Sequence, residues 1–146
     1  MKTIQIGPCG PEVSKIGFGT MGLGGRYEAD NSSDQNSENL LREAIDLGVN
    51  IFDTAEVYAD GHTETILGRA IANCREDVVI ATKFSPANST YDGVIKAAEA
   101  SLKRLCADYI DIYQNHWPSP DVPIDETLSA LVRLVEDGKI RYVGLS

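Results

Sequence analysis

Residues 48–68 read GVNIFDTAEVYADGHTETILG, and this stretch decides the fold. Its first part is an apolar run at 49–52 that leads directly into Asp53. A short apolar run bounded by polar residues is typical of a buried strand. A turn follows, and Thr63 offers a plausible helix start. We therefore predict a strand that ends in a carboxylate, then a loop that contains Tyr58, and then a helix.

The same pattern, an apolar run that ends in a reactive polar residue, recurs along the chain. The runs end at intervals of 30 to 33 residues, which is about the length of one strand plus one crossover helix, roughly 30 residues. The carboxyl ends of parallel strands lie at one edge of a sheet or barrel. Each unit would therefore deliver one polar side chain to that edge. These side chains belong to Thr20, Asp53, Lys83, His116 and Ser146.

This repeat predicts an α/β fold with parallel strands, as in a doubly wound sheet or in a (β/α) TIM barrel. We expect residues 1–15 to form an N-terminal β-hairpin, because two Gly-Pro pairs supply its turn. Residues 16–146 would supply strands 1 to 5 with four helices, all in one domain.

The fifth strand would be an exposed parallel edge. An uncovered strand edge presents unpaired backbone groups to other chains. We expect self-association through this open edge.

Four stretches with apolar residues at helical spacing predict an outer layer of helices. The polar segment 26–33 would be a surface loop over the strand ends, and Ser33 or Asp34 could cap the first helix. Asp125 would cap the helix 126–136. The expected apolar faces are Leu40, Leu41, Ala44, Ile45 and Leu47; then Ile66, Leu67, Ala70 and Ile71 in a helix over 63–73; Val94, Ile95, Ala98, Leu102 and Leu105 in a helix over 91–105; and Leu128, Leu131, Val132 and Val135.

Asp111 is an unusual residue for a buried strand. Strand 109–115 alternates, and Asp111 would face the helices. Because a buried, unpaired carboxylate is costly, we expect it to form a structural salt bridge or a capping contact.

Composition argues against several classes of partner. The chain has 22 acidic and 13 basic residues, which gives a formal net charge of −9. This charge disfavours nucleic acid and anionic membrane surfaces as partners. The sequence shows no apolar run of membrane-spanning length and no signal-peptide core. We expect a cytoplasmic protein.

Cysteine and histidine are too sparse for a usual metal site. The three cysteines show no CxxC spacing, and the chain has only two histidines. We predict no metal and expect the thiols to be reduced and packed in or near the core. His62 alone is interpreted as a loop or capping residue rather than a ligand.

Several segments, taken together and in order, resemble the aldo-keto reductases. They are GFGTMG at 17–22, GVNIFDTAEVY at 48–58, ATKF at 81–84, SLKRL at 101–105, DYIDIYQNHWP at 108–118 and GKIRYVGLS at 138–146. The resemblance covers nearly the whole chain. It implies a parallel (β/α) TIM barrel whose lower end is closed by the hairpin, and an enzyme that reduces aldehydes or ketones. A closed eight-stranded barrel needs about 250 residues. We therefore expect the chain to be the N-terminal portion of a longer protein or a truncated relative of one. The family's four catalytic positions fall on Asp53, Tyr58, Lys83 and His116.

Elementary chemistry agrees with that assignment. Hydride transfer to a carbonyl leaves negative charge on its oxygen, so an acid must lie beside that oxygen. A tyrosine with the ordinary pKa of about 10 is a reluctant donor at neutral pH, but a nearby ammonium stabilises the phenolate. Tyr58 would be the general acid, Lys83 its electrostatic partner and Asp53 the partner of Lys83. His116 would donate a hydrogen bond that orients the substrate.

The resemblance also implies the cofactor and the residues near it. NADP is expected on that ground alone. Gly19, Thr20 and Met21 would lie near the nicotinamide together with Asp53, and the hydroxyl of Ser146 would meet its carboxamide. The substrate, a small carbonyl compound, would contact Tyr58, His116 and Trp117.

Some alternatives remain open at this point. Trp117 could be a core aromatic or a wall of the substrate pocket, and Asn115 departs from the apolar residue expected before the histidine. The chain could be a truncated, non-catalytic half-barrel that acts as a binding or assembly module. A doubly wound receiver-type domain phosphorylated on Asp53 shares the length and acidity. It lacks an acidic pair after the first strand.

Overall fold

A computed structural model of the protein describes residues 1–24 and 34–146. The loop predicted at 26–33 and the capping role of Ser33 lie outside these residues. The chain begins with a hairpin of β1, Thr3–Gln5, and β2, Glu12–Ser14, which pair antiparallel. Asn50 ties this hairpin to the main sheet, because its side-chain oxygen accepts a hydrogen bond from Ser14 N at 2.6 Å.

The main sheet of the described residues has five parallel strands whose spatial order equals their order in the chain. They are β3, Phe18–Gly19; β4, Ile51–Asp53; β5, Val79–Phe84; β6, Ile110–Asn115; and β7, Ile140–Leu145. Gly19 pairs with Asp53, and Asp53 pairs with Ala81. This register confirms the predicted parallel α/β class and brings the carboxyl ends of the strands to one edge.

Four α-helices of the described residues connect these strands. They are α1, Asp34–Asp46; α2, His62–Ala70; α3, Tyr91–Leu105; and α4, Ile124–Glu136. Three short 3₁₀ turns lie between elements, at Tyr58–Gly61, Arg75–Asp77 and Pro86–Asn88. The helix predicted over 91–105 has the observed bounds, and Thr90 caps it by accepting a hydrogen bond from Gly93 N. The N-cap of α4 is Pro123 rather than the predicted Asp125, which lies inside the first turn.

The core fills the space between the sheet and the helices. Phe52, Ile80 and Phe84 from the strands pack there against Leu41, Ile66 and Leu134 from the helices. Two predicted apolar faces were partly wrong. Leu40 and Leu47 of the first face are exposed, and in α4 the buried side is formed by Thr127, Ala130, Leu131 and Leu134.

The apolar residues of α4 that do not pack in the core form a continuous exposed stripe. Leu128, Val132 and Val135 follow Ile124 at helical spacing, and all four side chains are exposed, Val132 by 55%. Apolar periodicity identifies a helix but does not say which of two adjacent faces packs on the sheet. We call these four residues the α4 stripe.

Asp111 is at the amino-terminal end of β6 and forms the predicted salt bridge. Its side chain is 4% exposed and accepts hydrogen bonds from Arg75 at 2.7 Å and from Ile80 N at 3.0 Å. Arg141 contacts it at 3.3 Å, and both guanidinium groups lie against the ring of Tyr109. This cluster links β5, β6 and β7 at the end of the sheet opposite the predicted site.

Replacing Asp111 with alanine is expected to lower the free energy of unfolding by about 3 kcal/mol, because it leaves the partly buried Arg75 guanidinium without its carboxylate partner. Urea denaturation followed by circular dichroism measures the loss. Glu43→Ala, which removes an exposed carboxylate from α1, is the control and should change stability by less than about 0.5 kcal/mol. Equal effects of the two substitutions would show that Asp111 has no special structural role.

Candidate active site

The polar residues predicted from the strand ends lie along one edge of the sheet. Asp53 is the last residue of β4, Lys83 the penultimate residue of β5, and His116 follows β6 directly. Thr20 follows β3 in the same way, and Ser146 follows β7. The parallel register is the cause, because it aligns the carboxyl ends of neighbouring strands.

Lys83 is at the centre of the site. Its ammonium donates hydrogen bonds to Asp53 Oδ1 at 2.7 Å, to Thr54 O at 2.9 Å and to the Tyr58 hydroxyl at 3.3 Å. Lys83 is 6% exposed, whereas the side chain of Asp53 is 45% exposed. A buried ammonium therefore has an oxygen acceptor for each of its three protons, and one of these acceptors is the predicted acid.

The backbone after Tyr58 is strained. Tyr58 begins a 3₁₀ turn in which Ala59 and Asp60 have φ of 48° and 53°, and Gly61 follows at 83°. Only glycine adopts this left-handed conformation without steric cost. Two non-glycine residues persist there only when their surroundings hold them, and such strain clusters at functional sites.

His116 lies beside the tyrosine. The two rings meet edge to face with centroids 5.8 Å apart. Burial lowers the pKa of His116 below its ordinary value, and the neighbouring Lys83 ammonium lowers it further, while the carboxylates of Asp53 and Glu56 oppose the shift. A neutral imidazole has one N–H donor, so at neutral pH His116 can donate one hydrogen bond to a ligand.

Trp117 is not a core residue. It is 53% exposed, and its indole stacks on the His116 imidazole with centroids 3.7 Å apart and planes 10° apart. The alternative that it packs in the core was wrong. Its position beside His116 is compatible with a wall of a substrate pocket.

The predicted cofactor residues differ in exposure. Gly19 and Met21 are exposed, whereas Thr20 is fully buried and its backbone N donates to Asp53 O at 2.8 Å. Ser146 N donates to Asn115 O at 3.0 Å, and a small cavity of about 200 Å³ adjoins Ser146 and Asn115. These residues lie at the same edge of the sheet as Asp53 and His116.

Among the residues that the structure describes, three buried polar side-chain atoms at this edge have no hydrogen-bond partner. They are Thr20 Oγ1, Asn115 Oδ1 and His116 Nδ1. Buried polar groups in native proteins are usually satisfied, so unpaired atoms at a site call for an explanation. A bound polar ligand is one source of the missing hydrogen bonds.

Sequence reasoning missed a layer of polar residues behind the site. Glu56 accepts hydrogen bonds from Ser85 N at 2.6 Å and Asn88 Nδ2 at 2.8 Å, which joins the loops after β4 and β5. Thr63 and Glu64 at the start of α2 are both fully buried. Their spacing to Leu67 places them on the apolar face of the helix, and that spacing was a usable signal.

The cysteines and histidines give no sign of a metal centre. Within 1–24 and 34–146, no group of three or more His, Cys, Asp or Glu residues could hold a metal ion. The three thiols are free, but Cys9 and Cys106 are exposed, so the expectation that all pack in or near the core was wrong. His62 begins α2 and bonds Asp34 at 2.7 Å. None of the described helices is long and apolar enough to cross a membrane.

Comparison with known proteins gives a consistent result. Residues 15–146 match the sequence profile of the Aldo/keto reductase family. A probable aldo-keto reductase 1 from Glycine max is 39% identical over an alignment that covers 100% of this chain and 45% of the relative. The chain spans about half the length of the curated relatives it matches.

Solved structures of the same family share the fold. A thermostable aldo-keto reductase in complex with the inhibitor epalrestat superposes with a TM-score of 0.92 at 42% identity, covering 99% of this chain and 53% of the other. An aldo-keto reductase from Klebsiella pneumoniae in complex with NADPH gives a TM-score of 0.82 at 39% identity, with 92% and 45% covered. These matches confirm the predicted barrel-type fold.

Replacing Lys83 with methionine is expected to raise the pKa of His116 towards its ordinary value, because the substitution removes the ammonium that opposes imidazole protonation. Proton NMR of the imidazole C2–H resonances measures this pKa directly, since the chain has two histidines and His62→Gln assigns them.

Lys103→Met, which removes an exposed lysine on α3, is the matched control and should leave the titration unchanged. An unaltered His116 titration in Lys83→Met would contradict the electrostatic coupling between the two side chains.

Proposed function

The chain belongs to the aldo/keto reductase family, and from that membership we propose that it reduces aldehyde or ketone groups to alcohols with NADPH as hydride donor. The observation that carries the proposal is the cluster in which Lys83 Nζ lies 3.3 Å from the Tyr58 hydroxyl and 2.7 Å from Asp53 Oδ1. In this proposal the catalytic residues are Asp53, Tyr58, Lys83 and His116.

Each side chain has one part in the proposed chemistry. Bound NADPH supplies the hydride to the carbonyl carbon. Tyr58 donates its hydroxyl proton to the carbonyl oxygen as negative charge develops there. The Lys83 ammonium stabilises the phenolate left behind, and Asp53 holds the ammonium in place. His116 orients the carbonyl oxygen with its N–H, and Trp117 forms one wall of the substrate site.

The residues present fit a nicotinamide. The unpaired Thr20 Oγ1 and Asn115 Oδ1 lie at the edge where a carboxamide group could provide the missing partners. Gly19 offers backbone without a side chain beside Asp53, and nothing lies within 4 Å of the place its Cβ would occupy. We assign Gly19, Thr20, Met21, Asp53 and Ser146 to cofactor contact. The relative from Klebsiella pneumoniae crystallised with NADPH supports the choice of cofactor. A cytoplasmic location stays a prediction from the sequence.

Tyr58→Phe is expected to lower the rate of NADPH oxidation in the presence of an aromatic aldehyde by about 10²–10⁴-fold, because the variant lacks the proton donor. The assay uses the 146-residue chain and the same chain joined after Ser146 to the C-terminal half of the relative that superposes with a TM-score of 0.92. Absorbance at the wavelength of reduced nicotinamide follows the reaction.

Tyr91→Phe removes a hydroxyl from the exposed first residue of α3 and is the matched control. Retained activity in Tyr58→Phe would overturn the assignment of the acid. Absence of turnover in both forms of the protein would overturn the proposed activity itself.

A second candidate function is that of an assembly module, and the exposed apolar surface favours it. Helix α4, which carries the stripe, packs beside β7, the edge strand of the described sheet, where Val143 and Leu145 are exposed. An exposed apolar surface next to a strand edge that no other described strand pairs is typical of an association site. We propose that the 146-residue chain alone associates with a second copy through this surface.

Val132→Lys is expected to reduce this association, because it places a charge in the centre of the α4 stripe. Sedimentation velocity over a range of concentrations measures the change. Leu47→Lys, which alters an exposed apolar residue at the end of α1, should not change the association. A chain that is monomeric at all concentrations would contradict this second function.

A further inference from the structure

Thr63 and Glu64, at the start of α2, are fully buried. Their side chains form hydrogen bonds with the backbone of Tyr58 and with the residues adjacent to Asp53 and Lys83, rather than with the side chains proposed to react. Glu64 Oε1 accepts a hydrogen bond from the Thr82 hydroxyl at 2.6 Å, and Glu64 Oε2 accepts one from Arg104 Nε at 2.6 Å. Thr82 directly precedes Lys83 on β5. Glu64 therefore fixes the strand segment that carries the ammonium.

Thr63 makes the corresponding contacts to the other two groups. Its hydroxyl donates to the backbone carbonyl of Tyr58 at 3.3 Å and lies 3.0 Å from the hydroxyl of Thr54. Thr54 follows Asp53, and its carbonyl accepts a hydrogen bond from Lys83 Nζ. One helix start thus contacts the residue after Asp53, the residue before Lys83 and Tyr58 itself.

Arg104 of α3 completes this arrangement. Its guanidinium lies so close to Gly61 that a Cβ there would meet the Arg104 side chain at 2.6 to 3.0 Å. Gly61 ends the strained turn that begins at Tyr58. Gly68, within α2, lets the helix approach α3 closely, because a Cβ there would lie 2.5 Å from Leu105 O.

Stability alone is a weak reason for this network. Replacing a buried ion pair by apolar residues of similar volume is often neutral or stabilising. A contribution to the free energy of folding therefore does not explain the Glu64–Arg104 pair. Their contacts instead lie at the ends of two segments of the site. Arg104 lies against Gly61, which follows the left-handed residues Ala59 and Asp60, and Glu64 bonds Thr82 near the end of β5. Misplacement of a catalytic group by about 1 Å can reduce a rate by about 100-fold.

We propose that Thr63 and Glu64, with Arg104 as the counter-ion, are positioning residues that set the distance between the Tyr58 hydroxyl and the Lys83 ammonium. The proposal rests on the function proposed above, in which these two groups act together. It assigns α2 a role in catalysis that acts through the backbone and the neighbours of the proposed reacting groups.

The first test is Thr63→Val, which keeps the shape of the side chain and removes both hydrogen bonds. We expect kcat to fall by about 10–100-fold, with KM for NADPH changed by less than about twofold. Thr63→Ser, which restores the hydroxyl, is expected to recover most of kcat. A loss that serine does not restore would show that shape rather than hydrogen bonding is responsible, and would overturn the proposal.

Thr127→Val is the matched control. Thr127 is also buried, and its hydroxyl donates to a backbone carbonyl, that of Ser89, at 2.7 Å, but it bonds none of the catalytic residues. Both valine variants should lose similar stability in urea denaturation. Equal kcat values in the two variants would show that Thr63 has a structural role only.

A readout independent of turnover separates this proposal from the proposed function. Tyrosine labelled with ¹³C at Cζ gives six resonances, one for each tyrosine of the chain, and Tyr58→Phe identifies that of Tyr58. At fixed pH this resonance is expected to shift in Thr63→Val and in Glu64→Gln but not in Thr127→Val.

The NMR measurement is decisive even when the protein shows no turnover. A Tyr58 resonance that stays unchanged in both Thr63→Val and Glu64→Gln would overturn the positioning role. If the Tyr58 resonance shifts in a protein that reduces no aldehyde, the shift supports the positioning role and the absence of turnover contradicts the proposed activity.

Discussion

The buried ammonium of Lys83 is the constraint on which the rest of the site depends. An ammonium removed from water is stable only when its protons have acceptors and a negative charge lies close by. Asp53 and Thr54 O meet this need from the neighbouring strand, and Tyr58 OH meets it from the turn that follows. The register of β4 and β5 is therefore a chemical requirement as well as a feature of the fold, because a one-residue slip would turn these side chains away from each other.

The two ends of the sheet use buried charge for different purposes. At the amino-terminal ends, Asp111 is enclosed by Arg75, Arg141 and a backbone N–H, and all its partners are parts of the scaffold. At the carboxyl ends, the Lys83 ammonium donates hydrogen bonds to the carboxylate of Asp53 and to the phenol of Tyr58. This division agrees with the general behaviour of α/β barrels, in which one face carries stability and the other carries reactivity.

Much of the fold was predictable because it follows from local rules. Asp53, Lys83 and His116 could be located because a parallel strand delivers its last residues to one edge, and the repeat length fixed which residues these are. The orientation of α4 could not be predicted, since Leu128 and Leu131 are equally apolar and only contact with the sheet decides between them. Thr63 was interpreted only as a helix start, because polar residues at that position are usually caps. The spacing of Thr63 and Glu64 to Leu67 indicates the buried face, but their hydrogen-bond partners are a property of the tertiary structure.

The agreement between the order of the strands in space and their order in the chain has a consequence for synthesis. Each strand pairs with the one made about 30 residues earlier, so no strand waits for a distant partner. From the second strand of the sheet onward, the partner of each strand has already been synthesised when that strand is made. Asp53, Tyr58 and Lys83 are made within one such unit, and the ion pair at the centre of the site can form as soon as β5 is available. The Asp53–Lys83 contact closes a loop of 30 residues, and the entropic cost of loop closure grows only slowly with loop length.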